Sequence, residues 1–235
     1  MNLYDNYYGD KLYPFQDGIM RIVNDCKTPF FLTGGTALSR FYFHHRYSDD
    51  LDYFVNNDER FSTYVDTLFE AFKKNQSRLN YTIEIGQLKK FERYAQLFVK
   101  TNEEDPTTLK IDLVNDIETR YGELVQCNLG LVDSWENILS NKLSALYRLE
   151  AKDVIDIWII AKNKPFNWKQ IVEQSVSKDA GTDPVTICET LLSFPVELSA
   201  TIKWAVPFDI QELSGDIQVI AREILSGSDN NLKRS

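Results

Sequence analysis

The run Phe30-Phe31-Leu32-Thr33-Gly34-Gly35-Thr36-Ala37-Leu38, followed by Ser48-Asp49-Asp50-Leu51-Asp52, constrains this chain more than anything else in it. An apolar stretch that ends in two glycines and resumes with helix formers reads as a buried strand turning into a helix. Neither glycine carries a Cβ, so the backbone there is free to approach a bound phosphate closely. In Asp50-Leu51-Asp52 the period of two along a strand throws both carboxylates onto one face and the leucine onto the other. Two carboxylates side by side repel each other unless a cation lies between them. The pair therefore suits one or two Mg²⁺ ions bridging to triphosphate oxygens, and metal-dependent chemistry on a nucleotide is the first expectation.

The rest of the composition narrows the choice of chemistry. With 235 residues, 43% of them apolar, the chain is long enough for a sizeable core. No stretch approaches the roughly 18 unbroken apolar residues of a membrane helix, and the first residues lack the basic start and apolar centre of a signal peptide, so a cytoplasmic location is expected. Cys26, Cys127 and Cys188 are odd in number and far apart, which fits neither a disulfide framework nor a paired-cysteine zinc site. His44 and His45 are the only histidines, and neighbours on a helix point about 100° apart, a poor geometry for chelating one ion. Carboxylates must carry the chemistry.

A net charge of −9 argues against broad, sequence-independent binding along a nucleic-acid backbone. It leaves room for a local basic groove, with Lys89, Lys90 and Arg93 or Lys142, Arg148 and Lys152 as candidates. The ordinary reading of such scattered cations is a solvated helix face or strand edge.

Along the chain, periodicity predicts a helix over 12–27, a strand over 29–34, a helix over 36–46, a strand over 50–55, and a long helix over 58–75 with an acidic first turn. Three β-type runs follow, Tyr81–Leu88, Tyr94–Lys100 and Leu109–Val114, whose short connections predict antiparallel neighbours. The expected fold is α/β, in the α+β sense, with a mixed sheet flanked by helices. From about Leu131 the spacing becomes helical, with helices expected at 134–149, 153–163, 167–177, 184–194 and 209–226 and a frayed tail from Ser226 to Ser235. The predicted organisation is an α/β domain over 1–130 and an all-helical domain over 131–235.

A third carboxylate, Asp112, lies in the alternating run Leu109-Lys110-Ile111-Asp112-Leu113-Val114, which can pair beside the Asp50/Asp52 strand. It is placed to complete the metal cage or to accept a proton from an attacking hydroxyl. Arg46 is read as a phosphate contact or a partner of Asp50, and Ser48 as a phosphate contact or a cap of the turn. Asp49, one residue out of phase, is expected to point away from the metal face. Each element has a plain reading by itself: a tight turn, a surface strand, a structural acid. Their order and spacing together point to nucleotidyl transfer by in-line attack on the α-phosphorus.

Gly34-Gly35-Thr36-Ala37-Leu38 followed by Arg46, Ser48 and Asp50-Leu51-Asp52 resembles the signature of the AbiEii/AbiGii-type toxin nucleotidyltransferases, a branch of the polymerase-β-like nucleotidyltransferase superfamily. Lys110-Ile111-Asp112 is similar to the family's third-carboxylate strand. Asn141-Lys142-Leu143-Ser144-Ala145 through Arg148, Lys152-Asp153 and Asp156 is similar to its helical motif. The resemblance implies an N-terminal nucleotidyltransferase-like domain that transfers a nucleoside monophosphate from an NTP. Asp50, Asp52 and Asp112 would be catalytic metal ligands for Mg²⁺, and Gly34, Gly35 and Thr36 would hold the β- and γ-phosphates. It further implies Lys142 on the phosphates and Asp153 as another acidic site residue. Were 142–153 one unbroken helix, eleven steps of about 100° would bring Asp153 back to within roughly 20° of Lys142. The implied setting is the toxin of a bacterial toxin–antitoxin pair, with a cognate antitoxin and an acceptor hydroxyl on RNA, such as the tRNA 3′ end, or on protein. The alternative is a nucleotide-binding or protein-interaction module without turnover.

Overall fold

Strand alternation fixes which residues face the core. In the computed structural model, which describes residues 4–232, β2 (Leu51–Asn56), β5 (Tyr94–Thr101) and β6 (Thr108–Asp116) lie side by side. Leu51, Tyr53 and Val55, Ala95, Leu97 and Val99, and Leu109, Ile111 and Leu113 are all buried on one face. Asp52, Gln96, Lys110 and Asp112 share the other. With β1 (Phe31–Leu32), β3 (Tyr81–Ile83), β4 (Lys89–Lys90), β7 (Val125–Cys127) and β8 (Gly130–Val132), these strands form a mixed sheet in the order β3-β5-β6-β2-β1-β8-β7, with β4 added beside β5. The short connections give antiparallel β3/β5 and β5/β6 pairs, as expected, whereas β2 runs parallel to β6 and β1 parallel to β8. Helices α1 (Tyr13–Asp25) and α3 (Phe61–Leu79) bury one stripe each, with Phe15 against Tyr81.

The chain separates into two compact units. The first comprises the chain up to Phe41, Tyr47–Glu118 and Glu123–Asp133, and holds the sheet. The second comprises Tyr42–Arg46, Thr119–Gly122 and the chain from Ser134 onward. Its helices are α4 (Trp135–Ser144), α5 (Ala151–Asn163), α6 (Trp168–Lys178), α7 (Pro184–Leu192) and α8 (Ile210–Ser226). Four of them open on side-chain caps where the sequence supplies short polar residues: Ser134 accepts from the Asn137 amide, Asn167 from that of Gln170, Asp183 from those of Val185 and Thr186, and Asp209 from those of Gln211 and Glu212. No helix among the described residues is long and apolar enough to cross a membrane.

Several local expectations are corrected. The helix expected over 36–46 starts at Gly34 as a short turn (α2, Gly34–Ala37), widens into a π-helical stretch over Leu38–Phe43 and stops at His44, whose φ is +53°. The helix expected from Asp58 begins at Phe61, because Asp58 is used ahead of it to accept from the Arg60 amide. The span 142–153 is not one helix: α4 ends at Ser144, and a 3₁₀ turn leads to Leu149 at φ +53° before α5 begins. Residues 227–232 are not frayed, since the side-chain amide of Asn230 donates to the carbonyls of Ala161 and Lys164, both at 2.7 Å. The rest of the expected frayed tail, 233–235, lies outside the described residues.

Candidate active site

The site on the sheet is assembled by register. Parallel pairing sets Asp52 directly beside Asp112, and antiparallel pairing sets Gln96 on the other side of Asp112, so three polar side chains form one row across three strands. Asp50 precedes β2 by one residue and falls next to Lys110 by the same register. The turn after β1 closes on this row. The Thr33 amide donates to the Asp52 carbonyl at 2.9 Å, and Gly34 sits at φ +68° with Asp52 Oδ2 only 3.1 Å from where a Cβ would be. Only glycine meets both conditions without strain.

The carboxylates are already engaged. Asp112 Oδ1 accepts from the Tyr94 hydroxyl at 3.0 Å and from Gln96 Nε2 at 2.9 Å. Its Oδ2 lies 3.1 Å from Lys110 Nζ, which is also 3.1 Å from Asp50 Oδ2. Burial works against the ammonium, yet the two carboxylates hold the Lys110 pKa above the ordinary lysine value. Burial and the bond to Asp112 push the Tyr94 phenol up to about 12. Among the described residues, no three acidic, thiol or imidazole side chains form a ready metal cluster, and a lysine cation stands between Asp50 and Asp112 instead.

Thr36 and Ser48 brace the turn. The Thr36 hydroxyl is buried, 2.5 Å from the Asp50 carbonyl oxygen and 2.8 Å from the Ser48 hydroxyl, which fixes the backbone just before the first acid. Asp49 accepts from the Tyr8 hydroxyl, as its phase implies, and Gln16 donates to the backbone carbonyls of Ser48 and Asp49.

The remaining residues of the predicted set lie in the helical unit. Arg46 does not pair with Asp50; its Nε and Nη2 donate to Asp156 Oδ1 and Oδ2, each at 2.8 Å, in a buried bidentate bridge. Lys142 and Asp153 meet at 2.5 Å in spite of the broken helix, and Lys142 Nζ is also 2.8 Å from Asp156 Oδ2. Arg148 joins Asp153 at 3.2 Å, and His45 Nε2 is 2.8 Å from Asp156 Oδ1. Burial alone would raise the Asp156 carboxyl, but Arg46 and Lys142 hold it well below the usual carboxylate range. Burial also lowers the His45 pKa, which keeps the ring neutral near pH 7. Lys142 stays above its usual value, because Asp156 and Asp153 outweigh the burial that opposes its charge. Three cations thus face two carboxylates, and one positive charge is in excess.

Sequence reasoning missed Tyr94, Gln96 and the bridging role of Lys110. The signal was available: Lys110 and Asp112 are two apart on one strand, and so are Tyr94 and Gln96. Asp156, which the resemblance includes in the helical motif without a role, is the centre of the buried network in the helical unit.

Solved structures of two bacterial proteins share this architecture. JHP933 from Helicobacter pylori is 22% identical with a TM-score of 0.60, over 92% of this chain and 90% of that one. MenT4, a nucleotidyltransferase toxin from Mycobacterium tuberculosis H37Rv, is 17% identical with a TM-score of 0.64, over 91% of this chain and 82% of that one. The fold is that of the nucleotidyltransferase toxins. The family described as "Nucleotidyl transferase AbiEii toxin, Type IV TA system" matches residues 21–209, and the chain belongs to it. No curated protein matches the sequence.

Proposed function

We propose that this protein transfers a nucleoside monophosphate from an NTP to an acceptor hydroxyl with the help of Mg²⁺, as the toxin of a toxin–antitoxin pair. The observation that carries the reading is the in-register pair Asp52 and Asp112, with Asp50 beside them and the Gly34 turn closing on Asp52. Three carboxylates are the hard oxygen donors that Mg²⁺ prefers, and the Lys110 ammonium marks a place between two of them that favours positive charge. The donor chemistry fits, with Asp50, Asp52 and Asp112 as the residues that would hold the ion. A divalent cation bound there supplies charge that makes the acceptor hydroxyl a better nucleophile and offsets charge on the leaving pyrophosphate.

The chain's own residues do the positioning. Gly34 and Gly35 open a helical turn whose first N–H groups have no intrahelical partners, which suits the β- and γ-phosphates. Thr36 contributes through its backbone, since its hydroxyl is committed to the Asp50 carbonyl. Tyr94 and Gln96 fix Asp112 so that it points at one place as ligand or proton acceptor. In the helical unit, Arg46, Lys142 and Arg148 outnumber Asp153 and Asp156 by one charge, and Arg148 is half-exposed, which suits Lys142 and its neighbours to a phosphate group. The acceptor is proposed to be RNA, such as the tRNA 3′ end, and the partner a cognate antitoxin.

The test is incubation of the protein with each α-³²P-labelled NTP, Mg²⁺ and total cellular RNA, beside an Asp50→Asn/Asp52→Asn control. Label on a discrete RNA band that disappears in the control is the expected result; label on the protein itself points to a protein acceptor. Nucleotide binding with no transfer to RNA or protein would replace this reading by a binding module without turnover.

A further inference from the structure

Lys110 and Lys142 each touch two carboxylates, but in different ways. The Lys142 contacts are short, 2.5 and 2.8 Å, and its side chain is only 11% exposed. The Lys110 contacts are both 3.1 Å and its side chain is 28% exposed, on a flexible four-carbon stem within reach of water. Lys142 is fixed, whereas Lys110 is shared evenly between two acids and able to leave. When it leaves, Asp112 keeps its aim, because Tyr94 and Gln96 hold the other oxygen.

We infer that Lys110 is a built-in counter-cation of the catalytic carboxylates, holding Asp50 and Asp112 where the divalent ion binds and yielding fully only when nucleotide phosphates arrive to receive its ammonium. The inference rests on the reading of Asp50 and Asp112 as metal ligands. With a divalent ion held by Asp50 and Asp112 and no nucleotide present, the displaced Lys110 ammonium would be left beside a dication, with like charges close together. An NTP brings the anionic partner that the displaced ammonium lacks. Metal and nucleotide therefore load together, each raising the affinity for the other by the same factor. Lys110 is in this sense a positioning residue that couples the loading of metal and nucleotide, and it screens Asp50 and Asp112 from each other while neither ligand is bound.

The experiment is calorimetric titration of the full chain with Mn²⁺, as a probe for Mg²⁺, with and without the α,β-methylene analogue of each NTP. In the wild type, one analogue should tighten Mn²⁺ binding by about 10- to 100-fold, within the usual range of such couplings. Lys110→Met should bind Mn²⁺ alone about tenfold more tightly than the wild type and lose most of the coupling, while Lys110→Arg should keep it. Equal or weaker Mn²⁺ binding by Lys110→Met overturns the inference. Should that variant not fold, a wild type in which no analogue tightens Mn²⁺ overturns it equally. Asp50→Asn/Asp112→Asn separates the two levels: lost Mn²⁺ binding there with no effect of Lys110→Met removes only the role of Lys110. Unchanged Mn²⁺ binding there removes the metal-ligand reading and this inference with it.

Discussion

Replacing Asp156 by asparagine tests whether the helical unit is built around one buried charge. The carboxylate has no solvent exposure and meets four donor atoms at 2.8 Å: two from Arg46, one from Lys142 and one from His45. Asparagine keeps the shape but turns one oxygen into a donor, which then faces donors. It also leaves three cations against the single carboxylate of Asp153. Removing one partner of a buried pair costs about 3–5 kcal/mol, a large share of the ~5–15 kcal/mol that holds a typical domain together. All four tryptophans, Trp135, Trp158, Trp168 and Trp204, belong to the helical unit, so tryptophan fluorescence in urea reports on that unit alone. With an m-value of ~2 kcal/mol/M, the midpoint should fall by about 2 M. Adding Arg46→Met removes one of the orphaned cations, so the double variant should be less destabilised than the sum of the two single changes. A midpoint shift under about 0.5 M for Asp156→Asn would refute the argument, since it would mean that the network contributes no more than a surface pair.

The same fluorescence assay carries a pH prediction. The folded His45 pKa lies below 6.5, so the unfolded chain binds a proton that the folded chain refuses, and stability should decline as pH falls below about 6.5. Asp156 is depressed, so its contribution is complete above about 3.9 and drains away as pH falls further; His45→Gln should flatten the first decline and leave the second. Gly34→Ala combines a left-handed backbone with a Cβ 3.1 Å from Asp52 Oδ2, and should cost about 1–2 kcal/mol in thermal melts while lowering transfer at least tenfold. A Gly34→Ala protein with wild-type turnover would show that the close approach to Asp52 has no function. Tyr94→Phe leaves Asp112 held by Gln96 and Lys110, and should lower kcat by about 3- to 10-fold with little change in KM for the NTP; an effect confined to KM would count against a part in orienting Asp112.

Much of the sheet was legible because alternation is a local signal. Leu51-Asp52-Tyr53-Phe54-Val55 and Leu109-Lys110-Ile111-Asp112-Leu113 each declare a buried and an open face, and the structure keeps both. The strands β7 and β8 were not legible: three residues each, next to Gly130 at φ +125°, are too short to establish a period, and β8 is held by pairing with β1 about a hundred residues away. The break between α4 and α5 was hidden for a different reason. Leu149 adopts a left-handed conformation that nothing in leucine announces, and the packing of the unit has to impose it. Lys142 and Asp153 come together across a turn and not along one helix, a closure that helical periodicity does not describe. Arg46 stands four residues from Asp50 in sequence and reads there as a phosphate contact or its partner, whereas the residue it bridges, Asp156, is 110 residues distant and no local pattern marks the pair.

The five residues Tyr42–Arg46 belong to the helical unit although they are threaded between stretches of the sheet unit. A truncation that starts near residue 134, where the texture of the sequence changes, would deprive Asp156 of both Arg46 and His45 and leave its carboxylate to Lys142 alone. During synthesis the order is reversed: Arg46 leaves the ribosome long before the acid that neutralises it. The helical unit is therefore not a contiguous stretch that can be cut out at residue 134 with its buried network intact. The set of donors around Asp156 is complete only in a chain that also carries Tyr42–Arg46, and a gene fragment encoding the helices alone should yield a product that is readily degraded.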